Sequence, residues 1–299
     1  MSILFGICYY FYMHDIREIP AAEFPKHLLE IPQPPKQLNY RGTLPPADLP
    51  LLTVVGSRKY STYGKQVVEQ LLGGLRGYRV GIVSGLALGI DSLAHEAALQ
   101  NHLYTLAIPG SGLSNSVLYP ARHRPLARRI LESGGGLLSE FAPDFKATKW
   151  SFIQRNRLMA GLSHATLIIE ATEQSGTLTT ARMCVDYNRE LLVVPGSIFS
   201  RNSTGPHLFM KLGATPVTSA TDIVEVLGLE TVSAAATASP PRSLSPEEQV
   251  VFDCLSEPRD IDTICRLTDR SFSDVSVVLM QLELQGVIAS EYGIYRAII

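Results

Sequence analysis

LLTVVGSRKYSTYG, residues 51–64, joins five successive apolar or small residues to a polar turn, with no alternation of inward and outward side chains. A strand of that kind is buried on both faces, as in a parallel sheet covered by helices on each side. The pattern recurs along the chain. Short apolar runs at Leu51–Val55, Val80–Val83, Tyr104–Ile108, Gly136–Leu138, Thr166–Ile169 and Leu191–Val194 alternate with amphipathic stretches near 62–76, 89–101, 122–133, 152–162, 177–188 and 205–212. This order predicts an α/β chain built on a doubly wound, Rossmann-like parallel sheet from about 51 to 229.

The flanks read differently. Met1–Met13 is apolar and aromatic but shorter than the roughly 20 residues that span a bilayer. It lacks the basic start and cleavage site of a signal peptide, so a packing strand or sequence upstream of the native start is expected. Residues 14–50 contain eight prolines and are expected to form an irregular lead-in, which makes 1–50 a single N-terminal segment. After Leu229, residues 230–243 are rich in Ala, Ser and Pro, the composition of a linker. Residues 244–299 then read as three helices (about 246–255, 261–268 and 273–285) and a β pair, a small C-terminal winged-helix domain.

At 299 residues the chain has room for one large and one small domain. Its net charge of −2 hides an uneven distribution. Residues 1–242 carry 22 Lys/Arg against 18 Asp/Glu, whereas 243–299 carry 4 against 10. A site for a polyanion therefore belongs in the first part. Cys8, Cys184, Cys254 and Cys265 form no CxxC pair, and the seven histidines have no ligand-like spacing. A reduced, cytoplasmic protein is expected, with no metal, no cofactor and no membrane contact.

In an open parallel sheet, ligands bind beyond the carboxyl ends of the strands. Here those ends carry Gly56-Ser57-Arg58, Ser84-Gly85, Gly110 within Pro109–Gly112, Glu170 followed by Ser175-Gly176-Thr177, and Pro195-Gly196-Ser197. Glycines at such joints let backbone N–H groups meet an anion, although tight turns also need glycine for steric reasons. Arg58, at the end of the first strand, is the strongest phosphate candidate; Ser84 and Ser175 are candidate donors. No GxGxxG follows the first strand, which argues against a nicotinamide redox enzyme. Asp91 and His95 stand four residues apart without a nucleophile beside them and read as a helix-start acid and a packed histidine. The cluster Arg122, His123, Arg124, Arg128 and Arg129 reads equally as ligand or as solvated helix face. Lys149, Phe152 and the run Arg155-Asn156-Arg157 place charge, an amide and an aromatic ring within nine residues. Alone, that run is an ordinary helix start. Beside the marked strand ends, it suits phosphates and unstacked bases.

These residues together resemble the DprA/Smf family of DNA-processing proteins. The resemblance rests on VVGSRKYSTYG (54–64), IVSGLALGIDSLAHEAAL (82–99), TLAIPGSG (105–112), LYPARH (118–123), LLSEF (137–141), FIQRNRLMAGLS (152–163), SGTLTTA (175–181) and VVPGS (193–197). It implies a Rossmann-like domain that binds single-stranded DNA without catalysis, forms a homodimer, and protects incoming strands and helps load the RecA recombinase on them during natural transformation. Carried over by position, Arg58 matches the family's GSR arginine, Lys149 and Phe152 its basic and aromatic residues, and Arg155 and Arg157 its RNR arginines. Two departures stand out. Leu88 replaces a usual basic residue, and about two extra residues lie near 114–117. A second reading is a nucleotide-processing enzyme like the LOG-type phosphoribohydrolases, but Thr180 falls where their catalytic Glu would stand. A third, a transcription regulator, is disfavoured because the candidate recognition helix Ser273–Gln285 carries Asp274 and Glu283 and no Lys or Arg.

Overall fold

The computed structural model describes residues 15–231, 244–284, 287–291 and 293–297. The expected strand or upstream segment at Met1–Met13 and most of the expected linker lie outside them. The chain divides into two compact units, Met1–Ser233 and Ala234–Ile299.

The first unit is built on nine strands: β1 (Arg17–Ile19), β2 (Leu38–Gly42), β3 (Leu51–Val55), β4 (Gly81–Ser84), β5 (Tyr104–Ala107), β6 (Gly136–Ser139), β7 (Ala165–Ile168), β8 (Glu190–Val193) and β9 (Thr215–Pro216). They form one sheet in the order β1-β2-β6-β5-β4-β3-β7-β8-β9. From β6 to β9 all pairs are parallel. Chain order runs outward from β3 to β6 in one direction and from β7 to β9 in the other. The reversal between β3 and β7 is the topological switch point, where a ligand crevice opens.

All five β3 residues are buried. Leu52 and Val54 face one core, with Val68, Leu72 and Ile90, while Leu51 and Val55 face the other, with Leu158, Met159 and Ala181. This two-sided burial is why the strand reads as continuously apolar. The covering helices are α1 (Lys26–Leu29), α2 (Thr62–Gly74), α3 (Ile90–Gln100), α4 (Arg124–Glu132), α5 (Lys149–Leu162), α6 (Thr177–Asp186), α7 (Thr204–Lys211) and α8 (Ala220–Leu227).

The proline-rich lead-in is not irregular throughout. β2 pairs antiparallel with β6, and β1 with β2, so this segment extends the sheet at one edge. Its prolines lie outside both strands, where no ladder N–H is lost. The domain end also moves. Leu229 is buried in the core, the Arg79 amide donates to Glu230 O (3.1 Å), and Thr231 bridges Tyr78.

The second unit holds α9 (Pro246–Asp253), α10 (Ile261–Thr268), α11 (Phe272–Leu284) and β10 (Arg259–Asp260), β11 (Ile288–Glu291) and β12 (Ile294–Ala297). The strands pair antiparallel as β10-β12-β11. Val251, Ile264, Val275, Leu279 and Leu282 form its core. The apolar stripe of α11 is thus packed inward, as the spacing predicts.

Candidate nucleic-acid interface

At the switch point a cleft of about 670 Å³ opens beyond the carboxyl ends of β3 and β7. Gly56, Ser57, Arg58 and Lys59 form one lip; Thr172, Ser175, Gly176 and Thr177 form the other; Lys149, Phe152, Ile153 and Asn156 come from α5. Those four α5 positions follow an i, i+3, i+4, i+7 rule, so a single helical face looks into the cleft. The helix starts at Lys149, three residues earlier than the apolar pattern suggests. Thr148 caps it: the Ser151 amide donates to Thr148 Oγ1 (3.2 Å) and the Thr148 amide to Ser151 Oγ (2.9 Å). Ser151 Oγ also donates to Gly110 O at 2.6 Å, which ties the first turn to the loop after β5.

That first turn contains no acid and begins with an exposed lysine. A cation at a helix N-terminus opposes the dipole. Both the dipole and Lys149 therefore favour an anion in front of the turn. Arg58 and Lys59 are exposed on the facing lip, and the Arg58 guanidinium lies 5.4 Å from the centre of the Phe152 ring. Phe152 is half-buried. It meets the Tyr119 ring at 5.5 Å and packs against Gly110, where a Cβ would collide with its ring.

The lips are fixed from behind. Glu170, buried at the end of β7, accepts from the Ser61 amide (2.9 Å) and from Asn202 Nδ2 (3.2 Å), and takes the Ser61 hydroxyl as well. Ser61 in turn caps α2 through the Gly64 amide. Thr177 Oγ1 donates to Gly56 O (3.2 Å), and Ser175 Oγ donates to Thr177 Oγ1 (2.9 Å), so the two lips hold each other. Gly176 has open space around it and faces the cleft.

Not every expected residue sits where sequence placed it. Ser84 is fully buried and donates to Val54 O at 2.7 Å, a use inside the sheet that leaves no proton for a phosphate. The Gly85 amide donates to Asp91 Oδ2 (3.1 Å), and Gly110 lies beneath the Phe152 ring; neither glycine lines the main cleft. Arg155 reaches the cleft only at its floor. It is buried, donates to the carbonyls of Gly85 and Ile108, and closes onto Asn156 Oδ1 (3.2 Å). Burial pushes its pKa down to about 10, so it stays charged at neutral pH. Burial likewise raises the Asp91 carboxyl, and the neighbouring Arg155 charge opposes that rise. Arg157 points away from the cleft altogether. Its guanidinium pairs with Glu140 and donates to Gln33 O at 2.7 Å. These two arginines begin as a motif and end as internal braces.

His95 is fully buried with its Nδ1 2.7 Å from Thr105 Oγ1, and its pKa is lowered to about 3 by burial. It is a core histidine, as read. The Arg124 and Arg129 side chains are engaged: Arg124 donates to the Ser116 and Leu118 carbonyls, and Arg129 pairs with Glu96 at 2.7 Å. Leu88 flanks a small niche with Arg58, Tyr119 and Phe152. Thr180 lines the cleft as a buried hydroxyl, so the position expected to hold a catalytic Glu in the alternative reading has no carboxylate.

Sequence reasoning missed Lys59, Ile153, Thr172 and Asn202. Lys59 was visible beside Arg58, and Ile153 shares the helical face of Lys149. Asn202 enters from a loop beyond β8, and nothing local marks it. Among the described residues no helix is long and apolar enough to cross a membrane.

Comparison with known proteins identifies the family. The family model for DNA recombination-mediator protein A matches residues 16–228, and that for the DprA winged helix domain matches residues 234–293. Protein Smf of Escherichia coli is 37% identical over 293 residues, covering 94% of this chain and 77% of the relative. The DNA processing protein DprA of Streptococcus pneumoniae is 39% identical over 201 residues, covering 67% and 70%. The solved structure of that pneumococcal protein superposes with a TM-score of 0.65 at 36% identity, over 72% of this chain and 76% of that one. The Helicobacter pylori DNA processing protein A, solved to describe its single-stranded DNA binding mode, gives 0.63 at 28% identity, over 71% and 95%. On the match to both of its regions, the chain belongs to the DprA/Smf family of DNA recombination-mediator proteins.

Proposed function

We propose that the switch-point cleft binds single-stranded DNA without catalysis. One observation carries this reading: Arg58, Lys59 and Lys149 converge, exposed, around the half-buried ring of Phe152 at the N-terminus of α5. Charge tracks phosphates and an aromatic face accepts any base, so the site favours unpaired strands with little sequence preference. The Arg58 guanidinium lies over the Phe152 ring, so a phosphate held by Arg58 and a base stacked on Phe152 would be near neighbours on one strand. Ser57, Ser175, Gly176 and Thr177 supply polar edges, and Asn156 an amide. Asp91 and Glu170 are both buried and hydrogen-bonded within the fold, which favours binding over hydrolysis as the use of the cleft.

The same family membership supports action as a mediator that protects incoming strands in natural transformation and recombination and helps RecA assemble on them, and a homodimer formed through the Rossmann-like unit. The test has two arms. Labelled oligonucleotide, single-stranded or annealed, is titrated with the full chain, and RecA ATPase on the same strand is followed with and without it. Tight binding to the single strand and a shortened RecA lag are expected. Preference for the duplex would reject the cleft reading, and an unchanged lag would reject the mediator role.

A further inference from the structure

The loop between β8 and α7 carries the most exposed large apolar side chains among the described residues, Ile198 at 80% and Phe199 at 91%. Isolated exposed apolar residues are ordinary. Two in succession, one aromatic, on a loop at the ligand-bearing edge of the sheet are less so. The loop is braced. The Phe199 amide donates to Ser197 Oγ (3.2 Å), the Ser200 amide to Ser197 O (3.0 Å), and His207 Nε2 lies 3.0 Å from Gly196 O. At its base, Tyr63 Oη donates to Pro195 O at 2.6 Å. Its far end is Asn202, which lines the cleft and donates to Lys59 O (3.3 Å).

Three residues of chain reach at most about 10 Å, so the Phe199 backbone lies within that distance of the Asn202 backbone and hence of the cleft rim. A stacked single strand advances roughly 3.4 Å per nucleotide, so the Phe199 backbone lies within about three nucleotides of the cleft rim. Residues 195–205 hold Arg201, exposed, and no acid. An apolar surface made for another protein has no need of that charge pattern or of continuity with a nucleotide cleft. A polyanion with bases needs both.

We infer that Phe199 is a second base-stacking platform, with Arg201 beside it for phosphate, and that a bound single strand runs from the cleft over the β8–α7 loop. This inference rests on the cleft reading above. It adds a direction for the strand and a minimum length for full affinity.

The test compares two oligo-dT lengths, about 5 and about 20 nucleotides, with the full chain at one fixed salt concentration. Phe199→Ala should lower affinity for the long strand at least about fivefold and leave the short one within about twofold, the scale of one lost stacking contact. Phe199→Tyr should restore the long-strand affinity. Arg58→Ala should weaken both lengths. If Phe199→Ala binds the long strand like wild type while Arg58→Ala is weak, the strand does not cross this loop and the inference is overturned, with the cleft intact. If neither substitution matters, the cleft reading itself has failed. If Phe199→Ala instead changes molar mass by light scattering and weakens both lengths alike, the residue belongs to a contact between copies, and the platform is rejected.

Discussion

At the residue scale, the arginines divide by exposure, not by motif. Arg58 is exposed at the cleft lip, over the Phe152 ring, whereas Arg157 is sealed against Glu140, whose carboxyl is itself raised by burial. Opposite outcomes follow. Arg58→Ala should cost at most about 1 kcal/mol of stability, the scale of its exposed contact with Phe152, and weaken strand binding. Arg157→Met should cost about 3–5 kcal/mol of stability, the usual penalty for stranding one buried partner, while the protein that remains folded binds normally. Urea unfolding beside anisotropy separates the two. His95 gives a pH signature. His95 Nδ1 lies 2.7 Å from Thr105 Oγ1, which is itself 3.1 Å from Ile82 O, so the ring is enclosed in the core. The unfolded histidine takes up a proton near pH 6.5 and the folded one near pH 3. As pH falls, the unfolded chain is protonated first; stability present above about 6.5 is lost toward about 3, by up to about 1.4 kcal/mol per pH unit. Urea midpoints between about pH 7 and 5 should fall, and less steeply in His95→Gln. Equal slopes would show that other groups dominate.

At the element scale, α5 decides the site. Its cap and its Ser151–Gly110 tether hold Lys149 and Phe152 in front of the strand ends. Thr148→Ala should cost about 1 kcal/mol in stability and loosen that first turn, so affinity should fall several-fold while Arg58 is untouched. Unchanged affinity with the cap lost would mean that the turn is held from elsewhere. The helix was legible in sequence from about residue 152, through its apolar second half, but its start was not, because Lys149-Trp150-Ser151 has no apolar period of its own; the capping box and a contact some forty residues away set it. The six central parallel strands were legible for the opposite reason: burial on both faces leaves a run that local sequence must spell out. β1, β2 and β9 were not. They are short edge strands, set by neighbours that the chain reaches only after long excursions. The fate of Arg155 and Arg157 was hidden in the same way. A guanidinium reads as surface until Gly85, Ile108 and Glu140 are known to surround it.

At the scale of the whole molecule, charge and topology point to the same place. The switch point falls in the part of the chain that carries excess base, and the acidic second unit offers α11 without a single Lys or Arg. The unit ending at Ser233 should therefore hold single strands within about twofold of the full chain, leaving the winged helix for contacts with protein. It must reach past Thr231, since that residue and Glu230 still pair with Tyr78 and Arg79. A folded truncation that loses tenfold or more in affinity would assign DNA binding to the second unit after all. The central claim, that exposed cations at the switch point hold phosphates of an unpaired strand, is tested most directly by a salt series. Affinity for a labelled single strand is measured for wild type, Arg58→Ala and Lys149→Ala. The plot of log affinity against log salt should fall linearly, and each substitution should flatten it by about 0.7 for the phosphate no longer neutralised. Binding that does not respond to salt, or slopes that survive both substitutions unchanged, would contradict the account.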